Sequence, residues 1–166
     1  LLNNTGGTAL NKMSIGITNI LYGKPYDEPQ KSIAESLFNT LLEKNIASTI
    51  EHYHDLKKKY PDNYNFSVRE LNRLGYQLLG LEKVDEAIEI FKLNVEVYPT
   101  SSNAYDSLGE AYMNNNQKEL SVKNYEKSIE LNPKNENAIK MLKKLNENKI
   151  KPIQHWYGLL QIDSSG

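Results

Sequence analysis

The sequence predicts an all-α fold of tandem helix-turn-helix units that stack into a right-handed superhelix, preceded by a short strand and helix. Two stretches carry the same landmarks in the same order, at Gly75, Phe91 and Pro99 and again at Gly109, Tyr125 and Pro133. Each landmark recurs after 34 residues, a period typical of paired helices repeated in tandem. In the first stretch, leucines and the glycine follow the i, i+3, i+4, i+7 spacing of one helix face.

The composition excludes several classes of protein. Of the 166 residues, 39% are hydrophobic and 25% are charged, and the net charge is −1, so no basic surface for nucleic acid is expected. The chain has no cysteine, which excludes disulfides and thiolate metal sites. No apolar run approaches the roughly 18 residues of a membrane span. Because the chain begins at Leu1 without methionine, we expect a fragment or a processed product of a longer protein.

The glycines are expected to set the distance between the two helices of each pair. Glycine has no Cβ, so a second helix can approach closely at Gly75. We expect the small residue Ala87 to meet this contact and Phe91, one turn later, to fill the wider gap. Pro99 then ends the second helix. One such pair cannot bury its apolar faces alone, so neighbouring pairs must stack.

This pattern resembles the tetratricopeptide repeat. Ser121 and Ser128 stand where the family usually has small alanines, and serine is small enough to preserve the packing. The resemblance implies a first repeat at 68–101 and a second at 102–135. It also implies that the first helix of each pair lines a concave groove that holds peptides.

The flanking segments are assigned from the same signals. A helix pair at 31–61 lacks the glycine and reads as a degenerate repeat; Ser32 to Glu35 form a capping box at its start, and Leu37, Leu41 and Leu42 give its first helix an apolar face. A second capping box, Ser67 to Glu70, opens the first clear repeat. The stretch 136–149 is expected to form an amphipathic capping helix. The whole repeat domain is therefore expected at 31–149, followed by a tail at 150–166 that is either loose, folded on the last helix or bound in a repeat groove.

Residues 1–30 differ from the rest of the chain. Leu1 to Gly7 reads as a strand end and a glycine turn, and a helix with an apolar stripe at Leu10, Met13, Ile17, Ile20 and Leu21 follows. One strand end and one helix cannot form a core, so the stripe is expected to need a partner surface. The Leu-x-Asn-Thr-Gly turn and the junction from Ile20 to Tyr26 resemble the C-terminal end of β-lactamase-like serine hydrolases, the penicillin-binding-protein fold of bacteria.

The catalytic motif of that hydrolase family is not found in this chain. The family needs a serine with a lysine three residues later, and no serine from Ser14 to Ser165 has one. Tyr112-Met113-Asn114 fits the family's Tyr-x-Asn element by letters only, because it falls inside a repeat helix. The resemblance therefore implies that any active site lies upstream of Leu1, and we expect the chain itself to have no catalytic residues and no cofactor.

The candidate binding residues are those that the repeat pattern places on the groove face of the first helices. They are Arg69, Asn72, Arg73, Tyr76, Asn103, Asp106, Ser107, Glu110 and Met113, with Lys140 and Lys144 on the last helix. Arginine can fork onto a carboxylate and an asparagine amide can bond an extended backbone. The alternative is that these are surface residues in capping and ion-pair roles. His52 and His54 are two residues apart on a helix and face apart, so no metal site is expected.

Three functions remain open. The first is a scaffold that binds a protein or peptide in the groove. The second is an accessory module that docks on the parent catalytic domain, or dimerises it, and shapes substrate access. The third is a structural module that associates with a second copy of itself. In each case we expect neither a nucleic-acid partner nor a membrane span.

Overall fold

The computed structural model describes residues 6–23 and 30–147, and these form eight helices and two short strands. The helices are α1 Gly6–Leu21, α2 Ile33–Glu43, α3 Ile46–Lys59, α4 Val68–Gly80, α5 Val84–Val97, α6 Ser102–Asn114, α7 Lys118–Leu131 and α8 at 136–147. The predicted run of four helices between residues 68 and 133 is confirmed. The architecture is a tetratricopeptide-like helical repeat fold in which α2 and α3, α4 and α5, and α6 and α7 pair.

The core runs along the stack between first and second helices. Leu71, Leu74 and Leu78 of α4 are almost completely buried together with Ile90 and Phe91 of α5. This cluster extends from α2 to α6, and a second cluster joins α7 to α8 around Tyr125, Ala138 and Leu145. Burial continues from each pair to the next, as expected where single pairs cannot close a core.

The glycine contact is as close as predicted, but its partner was predicted wrongly. A Cβ at Gly75 would overlap the ring of Phe91, and one at Gly109 would lie 3.1 Å from ring atoms of Tyr125. An aromatic ring, rather than a small side chain, therefore occupies the space above each glycine. In the second repeat the small residue has another role, because the Ser121 hydroxyl donates to the Gly109 carbonyl at 2.8 Å.

The two predicted capping boxes differ in the structure. Ser32 caps α2, since its hydroxyl accepts from the Glu35 amide at 3.2 Å. Ser67 makes no such hydrogen bond at the start of α4. The Glu70 carboxylate instead accepts from the Ser32 hydroxyl and from the Ala34 amide, because the free N–H groups at the start of α2 attract an anion.

The first helix pair has a feature that the sequence did not reveal. Residues 31–32 (β1) run parallel to residues 64–65 (β2), with Lys31 opposite Tyr64. This contact ties the entrance of α2 to the segment before α4. Leu37 and Leu41 are buried as expected, whereas Leu42 is 63% exposed, because one further residue along a helix turns the side chain away from the core face.

Helix α1 forms where predicted, but its apolar stripe is exposed from Met13 onward. Met13, Ile17, Ile20 and Leu21 are 57–77% exposed. The predicted glycine turn is wrong, because Gly6 and Gly7 form the start of α1. The predicted strand end before them, residues 24–29 and the tail at 150–166 lie outside the described residues. Across residues 6–23 and 30–147, none of the helices combines the length and apolar character that a membrane span requires.

Candidate peptide-binding groove

Hydrogen bonds join the first helices of successive pairs, and we call the surface that carries them the ladder face. Asn72 on α4 donates to Asn103 on α6 at 2.6 Å, and Asn137 on α8 donates to Asp106 on α6 at 2.9 Å. Both bonds span 31 residues. The ladder face thus repeats with the helices, and each rung fixes polar side chains of two neighbouring units.

In the first repeat, the predicted site residues divide into engaged and exposed side chains. Asn72 accepts a hydrogen bond from the fully buried Asn94 at 3.0 Å, and Asn94 also donates to the Val68 carbonyl. Arg73 bonds Glu70 at 3.2 Å and also donates to Ser32. Arg69 is exposed and has no ion pair with any residue of 6–23 or 30–147.

Tyr76 links the two repeats. Its hydroxyl donates to the Glu110 carboxylate at 2.8 Å and lies 3.2 Å from the Ser107 hydroxyl. Its ring packs edge-on against Phe91, with centroids 5.3 Å apart, and 40% of the residue stays exposed. Burial raises the pKa of Tyr76 to about 12, so the phenol remains a neutral donor at physiological pH.

The second repeat places its predicted residues at different depths. Asn103 is exposed, Glu110 and Met113 are half-buried, and Asp106 and Ser107 are buried. Met113 packs against the α7–α8 cluster, so it contributes mainly to the core. Ser107 is inaccessible and contacts Tyr76 from below.

Asp106 has an unusual environment for a carboxylate. Only 7% of the residue is exposed, and its Oδ1 atom is buried without a hydrogen-bond partner among the described residues. Burial raises the pKa of the Asp106 carboxyl above its ordinary value, while hydrogen bonds from Asn137 and Asn135 act in the opposite direction. Lys140 and Lys144 of α8 are exposed.

Several residues of the ladder face escaped sequence reasoning. Glu70 was assigned to a cap, and the structure places it between Ser32 and Arg73. Asn137 was missed, although it follows Asp106 by the same 31-residue step that separates Asn72 from Asn103. That step was a usable signal, because it is the 34-residue period less about one helical turn and so joins residues on neighbouring equivalent helices.

A depression elsewhere on the surface does not include the predicted site. It has a volume of about 320 Å³ and lies between the ends of α3, α5, α6 and α7. Asp85, Lys92, Tyr112 and Leu120 are among its lining residues. Within the part of the chain that the structure describes, no three potential ligands among His, Asp and Glu converge as a metal site would require.

The second repeat decides the comparison with known families. Residues 102–135 match the family model of the tetratricopeptide repeat. The chain carries a tetratricopeptide repeat. The match spans α6 and α7, and therefore includes Gly109, the Tyr125 ring above it and the ladder residues from Asn103 to Met113. No curated protein matches the sequence.

Solved structures share this tetratricopeptide architecture. The first TPR of Spaghetti (RPAP3) is 20% identical, covers 73% of this chain and 97% of its own, and has a TM-score of 0.51. A double mutant of MamA RS-1 is 17% identical, covers 96% of both chains and has a TM-score of 0.51. MamA itself is 24% identical over 67% of this chain, which spans 63% of its length, with a TM-score of 0.48. At these identities the two structures with a TM-score of 0.51 establish the fold alone.

Proposed function

We propose that this chain is a non-catalytic tetratricopeptide scaffold whose ladder face forms a concave groove for a peptide or protein segment. The contact residues are Arg69, Arg73, Tyr76, Asn103 and Glu110. Asn72 and Ser107 hold Asn103 and Tyr76 from below, and Asp106 is buried beside them. The hydrogen-bond ladder carries this proposal. Because its rungs already fix the polar side chains, less conformational entropy is lost when a ligand binds.

The charge of the groove bears on its ligand. The first TPR of Spaghetti (RPAP3) is bound to the HSP90 peptide SRMEEVD, a segment with an acidic end. The ladder face of this chain carries Arg69 and Arg73 on α4 but Asp106 and Glu110 on α6. A ligand that offers both signs of charge therefore fits better than an acidic tail alone.

The groove is tested by selecting peptides against the full chain from a displayed random library. The selected peptides should lose affinity when Tyr76 is changed to Ala, because the ring is an exposed anchor on the ladder face. Lys123→Ala on α7 is the control, since Lys123 is exposed on a second helix and should leave binding unchanged. Selected peptides that bind the Tyr76→Ala variant as well as the original chain would place the binding surface elsewhere.

The parentage is also a proposal. The chain is the C-terminal part of a β-lactamase-like serine hydrolase, with residues 1–30 as the end of that domain, 31–149 as the repeat domain and 150–166 as a tail. The exposed stripe of Met13, Ile17, Ile20 and Leu21 on α1 supports it, because a catalytic domain would cover such a surface. In this reading, pure chain does not hydrolyse a chromogenic β-lactam. Turnover that a single serine substitution abolished would contradict it.

The exposed stripe also favours a second candidate function, in which the chain docks on the parent catalytic domain, or on a second copy, and shapes substrate access. The catalytic domain encoded upstream should then bind the chain in trans. Met13→Lys should weaken that association, and Leu120→Lys, an equally bulky exposed position on α7, should not. Sedimentation over a concentration series separates self-association from docking.

A further inference from the structure

Two carboxylates and one phenol meet on the ladder face of the second repeat, above a second phenol that is buried, and we call this group the acidic notch. Asp106 and Glu110 lie one turn apart on α6, on the same helix face. The Tyr76 hydroxyl bonds Glu110 from the α4 side at 2.8 Å. From the other side, the Tyr125 ring lies over Gly109, where a Cβ would be only 3.1 Å from its ring atoms.

Two buried polar atoms at the acidic notch have no partner. Asp106 Oδ1 and the Tyr125 hydroxyl are both inaccessible and make no hydrogen bond within residues 6–23 and 30–147. Tyr125 is 0% exposed, and the Glu110 and Asp106 carboxylates and the Tyr76 phenol are its electrostatic neighbours. A buried polar group without a partner is costly, so two at one place on the predicted binding face require an explanation.

The acidic notch also lacks a cation. Asp106 receives its bond from the neutral amide of Asn137, and Glu110 from the neutral phenol of Tyr76. Neither carboxylate has an ion pair with any described residue. Some other carboxylates do carry ion pairs, as in Arg73 with Glu70 at 3.2 Å and Lys92 with Glu89 at 2.6 Å. An unpaired carboxylate is ordinary on the surface, but Asp106 is the one carboxylate that is buried among residues 13–23 and 30–147.

We propose that the acidic notch receives the cationic side chain of a lysine or arginine from the peptide bound on the ladder face. The proposal rests on the proposed peptide-binding function and specifies one residue of the ligand. An ammonium or guanidinium group has several donors and no acceptor, so it can bond Glu110 at the rim and approach the free oxygen of Asp106 at the floor. Hydrogen bonds between ionised groups are stronger than neutral ones, which gives this residue a large share of the specificity.

Four peptide pools test the proposal on the full chain. Each pool consists of fluorescein-labelled dodecapeptides, random except for a central arginine, lysine, citrulline or glutamate. The arginine and lysine pools should bind at least about fivefold more tightly than the citrulline pool, which has the same shape as arginine without its charge. If arginine and citrulline pools bind equally, the acidic notch is not a cation site, although the groove itself stands. If no pool binds, the peptide-binding function fails as well.

Variants of the same shape without the charge test whether the preference for arginine arises from Glu110 and Asp106. Glu110→Gln retains an oxygen that can accept from Tyr76 and loses only the charge, and Asp106→Asn does the same toward Asn137. Each variant should weaken the arginine pool about tenfold, as expected for the loss of a charge-assisted bond, and leave the citrulline pool unchanged. Glu126→Gln, exposed on α7, makes the same change in net charge and should have no effect. A Glu110→Gln variant with a full arginine preference would overturn the proposal even if Asp106→Asn failed to fold.

Discussion

The two clear repeats have the same helix pairing, but their carboxylates differ in how fully they are hydrogen-bonded. In the first repeat, the carboxylate of Glu70 is bonded by Arg73, by Ser32 and by a helix N-terminus. In the second repeat, Asp106 is buried with one oxygen free, and the Tyr125 hydroxyl is buried without a partner. The first repeat also has a buried atom without a partner, the Asn94 Oδ1, but it belongs to a neutral amide. We infer that the second repeat, which leaves a carboxylate oxygen free, retains this group for binding.

The same contrast appears at equivalent positions 34 residues apart. Gly75 and Gly109 occupy the same place, but the ring above is Phe91 in the first repeat and Tyr125 in the second. Tyr125 therefore brings a hydroxyl into a space that Phe91 fills with hydrocarbon. Substitutions at paired positions test whether this difference changes the free energy of unfolding. They are given from the largest expected effect to the smallest.

Alanine at the two glycines should have unequal effects. Gly75→Ala would drive a methyl group into the Phe91 ring, so we expect the free energy of unfolding to fall by about 2–3 kcal/mol. At Gly109 the overlap is slighter, and the better helix propensity of alanine offsets much of it, leaving a loss of about 1 kcal/mol or less. Urea unfolding measures both. Gly80→Ala is the control, because nothing lies within 4 Å of its Cβ position. Equal losses of unfolding free energy for the two variants would mean that Phe91 and Tyr125 pack equally closely against their glycines.

Removing the Tyr125 hydroxyl should not destabilise the chain. Tyr125→Phe makes the second repeat resemble the first and eliminates a buried, unpartnered polar atom. We expect the free energy of unfolding to rise by about 1 kcal/mol, read from the urea midpoint. A marked loss of stability would show that the hydroxyl has a partner in solution and that the contrast between the repeats is smaller than inferred.

Asp106→Asn should stabilise the chain in a pH-dependent way. Burial raises the pKa of Asp106 in the folded state, so between the unfolded value of about 3.9 and the raised value the folded state binds more protons. Stability from this group therefore falls as pH rises through that window. The variant should unfold at higher urea than the original chain at pH 7, and the difference should shrink as the pH falls through the raised pKa toward about 4. A difference that does not vary with pH would assign the effect to packing.

The serines that precede α4 and α6 should show the smallest difference in unfolding free energy when they are replaced by alanine. Ser101 accepts a hydrogen bond from the Ala104 amide at 3.3 Å, whereas Ser67 has no side-chain cap bond. Ser101→Ala should therefore cost about 1 kcal/mol of unfolding free energy and Ser67→Ala less than about 0.5 kcal/mol. Thermal unfolding of both variants checks the order, and a reversed order would show that Ser67 caps its helix in solution.

The helices were predictable because their signals are local or periodic. The 34-residue recurrence of glycine, aromatic residue and proline predicted α4 to α7, and the 3.6-residue apolar spacing predicted α2, α3 and α8. Packing partners were harder, since spacing shows which residues share a face and not which side chain fills a gap. Phe91, rather than Ala87, therefore lies against Gly75.

The ladder face was predictable in place but not in detail. The repeat pattern located Tyr76, Asp106 and Glu110 on one surface, because equivalent residues of stacked helices align. Hydrogen bonds between repeats depend on how far neighbouring helices stand apart, and the sequence does not state that distance. Glu70 was likewise predicted to cap its own helix but bonds the start of α2. That contact also depends on the tertiary arrangement of the helices.

Peptide-induced shifts of backbone amide NMR signals test the central claim most directly. The full chain is titrated with one peptide of the arginine pool, and the shifts are mapped onto the helices. We predict that the largest shifts fall on the ladder face, at Tyr76, Asn103 and Glu110, and that they are smaller at the same peptide concentration when citrulline replaces the arginine. Shifts confined to the second helices α5 and α7, or identical shifts with citrulline, would contradict the account.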